Sequence, residues 1–109
     1  MRVRPRSFRI LSSLRSGRLV PTDAKGLHAG SVLLHPTEVM DWHSTHRREE
    51  LLIVLAGQAD LEVQTPAHPV RRIPLRRGQS IFLAVETIHR IVNRSRRAVR
   101  YVYITAPAA

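Results

Sequence analysis

From Gly26 onward the chain is a succession of short apolar or alternating runs, each closed by glycine, proline or a polar cluster. The runs are Ala29–Leu34, Glu38–Ser44, Glu50–Leu55, Ala59–Gln64, Val70–Leu75, Gln79–Val85, Ile88–Asn93 and Ala98–Thr105. In Ala59–Gln64, Leu61 and Val63 fall on one face and Asp60, Glu62 and Gln64 on the other, the period-two pattern of a half-buried strand. Turn signals roughly every 8 to 12 residues are those of a sandwich or barrel. No long amphipathic helix can be placed, and Ser12–Arg18 offers at most one helical turn. The expectation is an all-β chain, an antiparallel β-barrel or double-stranded jelly roll, in which closure removes exposed sheet edges. Glu50–Leu55 and Val99–Ile104 read as buried on both faces, so a homodimer is expected.

With 109 residues there is material for one modest core. Aromatics make up only 5%, so that core must come from Val, Ile and Leu. Residues 1–22 read as a basic arm punctuated by Pro5, Gly17 and Pro21, with strand character over Ser7–Leu14, and residues 23–109 as the folded domain. There is no cysteine, which excludes disulfides and thiolate metal sites and leaves nitrogen and oxygen ligands. No apolar run approaches the ~20 residues that cross a bilayer, so no membrane association is expected. Arg9, Arg15 and Arg18 interrupt the apolar residues of the N-terminal segment, which leaves no signal-peptide core. A cytoplasmic location is the default, with an arginine-rich organelle-targeting segment as the alternative.

The formal charge is +10, and Lys25 is the one basic residue that is not arginine. The arginines are scattered rather than gathered on one motif, so a solvated surface is expected and nucleic-acid binding is not. An arm carrying Arg2, Arg4, Arg6, Arg9, Arg15 and Arg18 is where the opposite reading would reside. The bulk positive field attracts acidic small molecules in either case.

Two segments carry the chemistry. The first is Trp42-His43-Ser44-Thr45-His46-Arg47-Arg48-Glu49-Glu50, with Gly57 beyond it. The second runs from Gly78 through Ala84, Glu86 and His89 to Asn93. Together they resemble the cupin family. Its first motif is glycine, a short gap, His-x-His, three or four residues, Glu, six residues, Gly. Its second is Gly, five residues, Pro-x-Gly, two residues, His, three residues, Asn. Glu50 and Gly57 fit the end of the first; Gly78, His89 and Asn93 fit the second at the same spacing. Ala84 and Glu86 stand where the family has Pro and Gly, a departure in a turn. The resemblance covers about residues 26 to 105 and implies a barrel of six to nine strands. It also implies a metal near the centre, held by the first-motif histidines, the glutamate and the second-motif histidine: here His43, His46, Glu50 and His89.

This chain has His-x-x-His in place of His-x-His. Alternation along a strand points such a pair oppositely. Either His43 and Thr45 face inward, or Ser44 and His46 do; a β-bulge or an early strand end would admit both histidines. Trp42 suits an outward, sheet-packing position and favours His43. Two histidines and one carboxylate with open positions suit non-haem Fe(II), and also Mn, Ni or Zn. Thr45 or Ser44 is placed to hydrogen-bond a bound water.

Each of these residues has a plainer reading. Glu50 at a strand start can pair with Arg47 or Arg48, His89 can be a neutral core histidine, and His46 a solvated loop residue. Asn93 shares a face with His89 and can instead satisfy backbone groups. Tyr101 and Tyr103 share a face, to line a cavity or to pack. Asp41 shares parity with His43, as a base or hydrogen-bonding partner, or as a surface acid. Arg90 and Arg94 fall on the outward face. His28, His35 and His68 lie near loop signals and are given no role. Some family members keep the fold without the metal. Two functions are expected in competition: a metal-dependent enzyme of dioxygenase or isomerase type on a small, anionic substrate, with catalytic residues unassigned, and a non-catalytic module for a small ligand or metal.

Overall fold

β-Branched and aliphatic residues alternate with polar ones along most of the chain, and strands form where they do. The structure, a computed structural model, describes residues 12, 15–67 and 69–108. The strands are β1 (Gly17–Arg18), β2 (His28–Leu34), β3 (Val39–Ser44), β4 (Arg48–Ala56), β5 (Gln58–Val63), β6 (Arg71–Arg76), β7 (Ser80–Leu83), β8 (Ile88–Val92) and β9 (Val99–Pro107), and the described residues contain no helix. They form two antiparallel sheets, one in the order β1-β2-β9-β4-β7 and the other β3-β8-β5-β6. Leu34, Leu52, Val54, Leu83, Val99 and Tyr101 on the first sheet pack against Ala59, Leu61, Leu75 and Ile91 on the second. This interdigitation of two inner faces holds a sandwich together. Full burial of one such side chain stabilises by about 1.5–3 kcal/mol.

The expected closure into a barrel is not what the chain adopts. The sheets face each other without a hydrogen-bonded seam, and β3, β6, β7 and β1 remain edges. A cavity lies between the two sheets, walled by residues of β3, β4, β8 and β9. A jelly roll is the description that fits.

The described residues within Ser12–Arg18 contain no helical turn: Gly17 and Arg18 pair with Ser31 and Gly30 at the sheet edge, and residues 13 and 14 lie outside the described set. The strand expected within Ser7–Leu14 falls, apart from Ser12, outside the described residues, as does His68. The apolar run of β4 is not buried on both faces in the single chain. Leu52 and Val54 are buried inward; Leu51, Ile53 and Leu55, on the outer face, are half-buried.

Gly57 lies between β4 and β5 with φ of 79°, and a Cβ there would meet the main-chain oxygen of Ala98 at 2.5 Å. Both the left-handed backbone and the close approach require glycine.

The outer face of the second sheet is charged. Glu62 on β5 is only 3% exposed and is covered by arginines from both neighbouring strands and the following loop. Arg90 donates to its Oε1, Arg94 donates to its Oε2 at 3.0 Å, and Arg72 stands 3.5 Å from the same oxygen. Arg94 also donates to Asp60 at 3.0 Å, and Arg90 lies 4.9 Å from the centre of the Trp42 ring, a cation–π distance. Burial opposes ionisation of Glu62, but the hydrogen bonds and charges of Arg90 and Arg94 outweigh it and hold the carboxyl below its ordinary value. A depressed carboxyl contributes stability that is complete above its unfolded pKa, near 4.5, and is lost as the pH falls through the folded value. Glu62→Gln is expected to lower stability at pH 7 by about 1–3 kcal/mol. Thermal melts of variant and parent at pH 7 and pH 3 check this, and the gap should narrow in acid.

Candidate metal centre

Three side chains from both sheets converge on one point. His43 is next to last in β3 and pairs across strands with His89 on β8. Glu50, near the start of β4, is held between Leu83 of β7 and Thr105 of β9. Ligand atoms of His43, Glu50 and His89 all lie within 4.8 Å of one another. Nitrogen and oxygen ligands sit about 2.0–2.2 Å from a transition-metal ion, so one ion spans two of them when they are ~4.3 Å apart or less. The cluster is thus near enough to hold a metal after small side-chain adjustments.

The histidine register follows from a bulge. β3 and β8 pair Met40 with Ile91 and His43 with His89, three steps along one strand against two along the other. The extra residue turns Met40 and His43 to the same side despite their odd separation, and both line the cavity. Because the bulge precedes His43, it cannot recover His46. β3 ends at Ser44, and His46 is exposed in the following turn with φ of 53°. Its amide donates to Ser44 Oγ at 2.9 Å, and its carbonyl accepts the Glu86 amide at 2.8 Å. Of the four expected ligands, the fold therefore gathers His43, Glu50 and His89 and leaves His46 outside the cluster. Glu86, in the family's glycine position, takes φ of 57°, so the turn is kept with a strained residue.

The ring nitrogens are oriented for a ligand. His43 Nδ1 lies 2.7 Å from the Asp41 carbonyl oxygen and His89 Nδ1 lies 3.1 Å from that of Thr87. A carbonyl only accepts, so each Nδ1 carries the hydrogen and each Nε2 presents a lone pair. His89 is completely buried, and its Nε2 has no hydrogen-bond partner among the described residues. The Glu50 carboxylate stands 3.4 Å from that nitrogen, beyond the usual hydrogen-bond range. A buried polar atom without a partner is costly, and a bound cation between Nε2 and Glu50 would satisfy both. The donor set present, two imidazoles and a carboxylate, fits a divalent transition metal.

The plainer reading of Glu50 does not hold. Arg48 directs its guanidinium to Thr105 Oγ1 at 2.9 Å and to the Thr105 and Gly26 carbonyls, and Glu50 lies against His89 instead. Thr45, one of the two hydroxyls expected to meet a water on the metal, is committed elsewhere. Thr45 Oγ1 donates to the Ala84 carbonyl at 2.7 Å and accepts from the Thr87 amide at 2.9 Å; Ser44 Oγ accepts from His46. Thr45 thus fixes the loop that leads into His89. Asn93 is a structural residue, bonded to the Leu34 and Arg97 carbonyls and to Ser95.

A cavity of about 460 Å³ opens beside the cluster. His43, Glu50 and Asp41 line it together with Met40, Leu52, Ile91, Tyr101 and Tyr103. Asp41 is exposed and caps the Trp42 amide at 2.7 Å. Burial, with the nearby Glu50 charge and Tyr103, pushes the Tyr101 phenol well above its ordinary pKa, so it stays a donor. Gly30 makes room for Tyr103, since a Cβ there would meet the ring carbon Cζ at 2.5 Å. Leu52 was readable as a wall residue from its parity with Glu50. Met40 was not, because its parity opposes that of His43.

No curated protein matches the sequence. Among solved structures, a Cupin 2 conserved barrel domain protein from Salinispora arenicola aligns with TM-score 0.72 at 23% identity, over 99% of this chain and 90% of its own. The Schizosaccharomyces pombe Cnp3 cupin domain aligns with TM-score 0.74 at 15% identity, over 85% of this chain and 64% of its own. Oxalate oxidase aligns with TM-score 0.69 at 15% identity, over 75% of this chain and 42% of its own. The chain thus spans less than two thirds of the last two. The family profile described as Cupin domain matches residues 30–105, and the chain belongs to the cupin family.

Proposed function

We propose that this chain binds one divalent transition metal (Fe, Mn, Ni or Zn) through His43, Glu50 and His89, and acts on a small, anionic molecule admitted to the adjoining cavity. The observation that carries this reading is the buried, unpartnered Nε2 of His89 facing the Glu50 carboxylate. A metal with open positions would supply Lewis acidity, and with iron or manganese redox capacity, for dioxygenase- or isomerase-type chemistry. The chain's own part is to hold that site in an apolar pocket. Met40, Leu52 and Ile91 displace water, and the Tyr101 and Tyr103 hydroxyls offer hydrogen bonds to substrate oxygens. The lining residues include Asp41 and Glu50 but no lysine or arginine, so a substrate anion would be met by the metal while the overall +10 charge draws it in. The similarity to oxalate oxidase is one of fold, and it makes oxalate and glycolate sensible first probes. Oxygen uptake or product formation with the metal-loaded protein, absent in the His89→Ala variant, is the expected result. Saturable binding without turnover would instead establish the non-catalytic module.

A homodimer in the cytoplasm is part of this proposal. What supports the dimer is a row of cross-strand neighbours on the outer face of the first sheet: Ala29, Ile104, Leu51 and Phe82. Phe82 is 59% exposed on the edge strand β7, whereas the outer face of the second sheet is covered by ion pairs. Phe82→Glu is expected to convert a dimer to a monomer in sedimentation equilibrium while leaving metal content unchanged. No helix among the described residues is long and apolar enough to cross a membrane.

A further inference from the structure

The metal cavity is at one end of the sandwich, and the opposite end carries a second concavity of different chemistry. It holds about 430 Å³ and is lined by Gly57, Gln58, Arg76, Arg77 and the segment Ser95–Arg97. Three connections build it: the β4–β5 turn at Gly57, the β6–β7 turn at Arg77, and the β8–β9 loop. Glu50 and Gly57 stand at opposite ends of β4, about 23 Å apart at the rise of a strand, so the two sites are separate.

Two arginine pairs that are distant in sequence, Arg76-Arg77 and Arg96-Arg97, are brought together here. None of the four forms an ion pair with a carboxylate among the described residues. The acids nearest in the fold are already committed. Asp60 accepts from Arg94, and Glu62 from Arg94 and Arg90. Arg94 is committed to those acids, and the four exposed arginines that line the cleft have no carboxylate partner among the described residues. Like charges so placed repel, and a multiply charged anion removes that repulsion.

The frame behind these side chains is fixed. Asn93 holds the Arg97 carbonyl at 2.8 Å and the Ser95 amide at 2.9 Å, and Ser95 Oγ accepts from the Arg97 amide at 3.3 Å. Across the cleft, the Arg76 amide donates to Gln79 Oε1 at 2.8 Å and the Gly78 amide to the Val54 carbonyl at 2.8 Å. Fixed backbones limit the ordering cost to the side chains themselves. Guanidinium forks match phosphate oxygens two at a time, and Gln58 adds a neutral amide. The hollow has the size of a small-molecule site, whereas a nucleic-acid surface would be a long basic stripe.

We propose that this cleft is an anion-binding site for a small phosphate-bearing ligand carrying two or more phosphoryl groups, held by Arg76, Arg77, Arg96 and Arg97. The site is independent of the metal centre.

The test is calorimetric titration of the full-length protein with pyrophosphate and tripolyphosphate, against orthophosphate and a 20-base-pair DNA duplex. Saturable 1:1 binding of tripolyphosphate is expected, with each arginine replaced by alanine weakening it about tenfold. Arg71→Ala, on the far end of β6, should leave the affinity unchanged. Unchanged melting temperatures in the variants show that lost binding is not lost folding. No binding at millimolar tripolyphosphate would overturn the proposal. So would affinity equally insensitive to all five substitutions, which would mark a bulk charge effect or binding at the metal. Tight binding of the duplex with weak, unsaturable tripolyphosphate binding would also overturn it, in favour of a nucleic-acid surface.

Discussion

Saturating the protein with a divalent transition metal should raise its melting temperature by about 10 °C, and His89→Ala should abolish the rise. A ligand at a hundredfold excess over its dissociation constant stabilises the native state by about 2.7 kcal/mol. For a domain of about 100 residues each kcal/mol moves the midpoint by about 4 °C. The metal-free protein carries a buried imidazole nitrogen without a partner and a carboxylate that is only 8% exposed, and the ion relieves both. Glu50→Gln and His43→Ala should also shrink the shift, whereas His46→Ala should retain all of it, because His46 belongs to the turn beyond β3. Scanning calorimetry with and without added metal reads these outcomes directly. An equal shift in parent and His89→Ala would mean that metal binds elsewhere.

The second large effect is expected at Asn93, which no solvent reaches. Its Nδ2 donates to the Leu34 carbonyl at 3.0 Å and to the Arg97 carbonyl at 2.8 Å; its Oδ1 accepts from the Ser95 amide at 2.9 Å and from Ser95 Oγ at 2.7 Å. Asn93→Ala removes these bonds from the Leu34 carbonyl and the Ser95 amide in a space water cannot fill properly. At about 1–3 kcal/mol for a buried group left unsatisfied, the loss should be about 3 kcal/mol, or about 10 °C in melting temperature. Asn93→Asp should not rescue it, because a carboxylate cannot donate to the two carbonyls. Metal stoichiometry of the folded variant should stay at the parent's value, since Asn93 touches none of the three candidate ligands. Denaturant melts with metal analysis distinguish this structural role from a ligand role.

The strands were legible because each alternates or runs apolar between turn signals. Ala59–Gln64 and Ile88–Asn93 came within a residue or two of β5 and β8. Pairing was less legible. Gly17 and Arg18 join a sheet edge through two residues with no pattern of their own. The absence of closure depends on how the two sheets sit against each other, which no single run records. At the site, Glu50 and His89 were legible through the resemblance to the cupin motifs, whose spacing they keep. The choice between His43 and His46 was not, because it rests on a bulge between Met40 and His43 that no glycine or proline marks. Trp42 did carry a correct hint: it lies outward beneath Arg90. Thr45 and Glu86 escaped because their roles are in turns, one as a hydroxyl bridge to Ala84 and Thr87, the other as a left-handed residue held by His46. The arginine cleft escaped because its two pairs are adjacent only in the folded chain.

The central claim is that His43, Glu50 and His89 hold a metal ion. Elemental analysis of the protein, purified without a polyhistidine tag and compared with His89→Ala and His46→Ala, tests it most directly. About one equivalent of Fe, Mn, Ni or Zn is expected in the parent and in His46→Ala, and little in His89→Ala. A parent that holds no metal, even after incubation with each ion in turn, would contradict the claim.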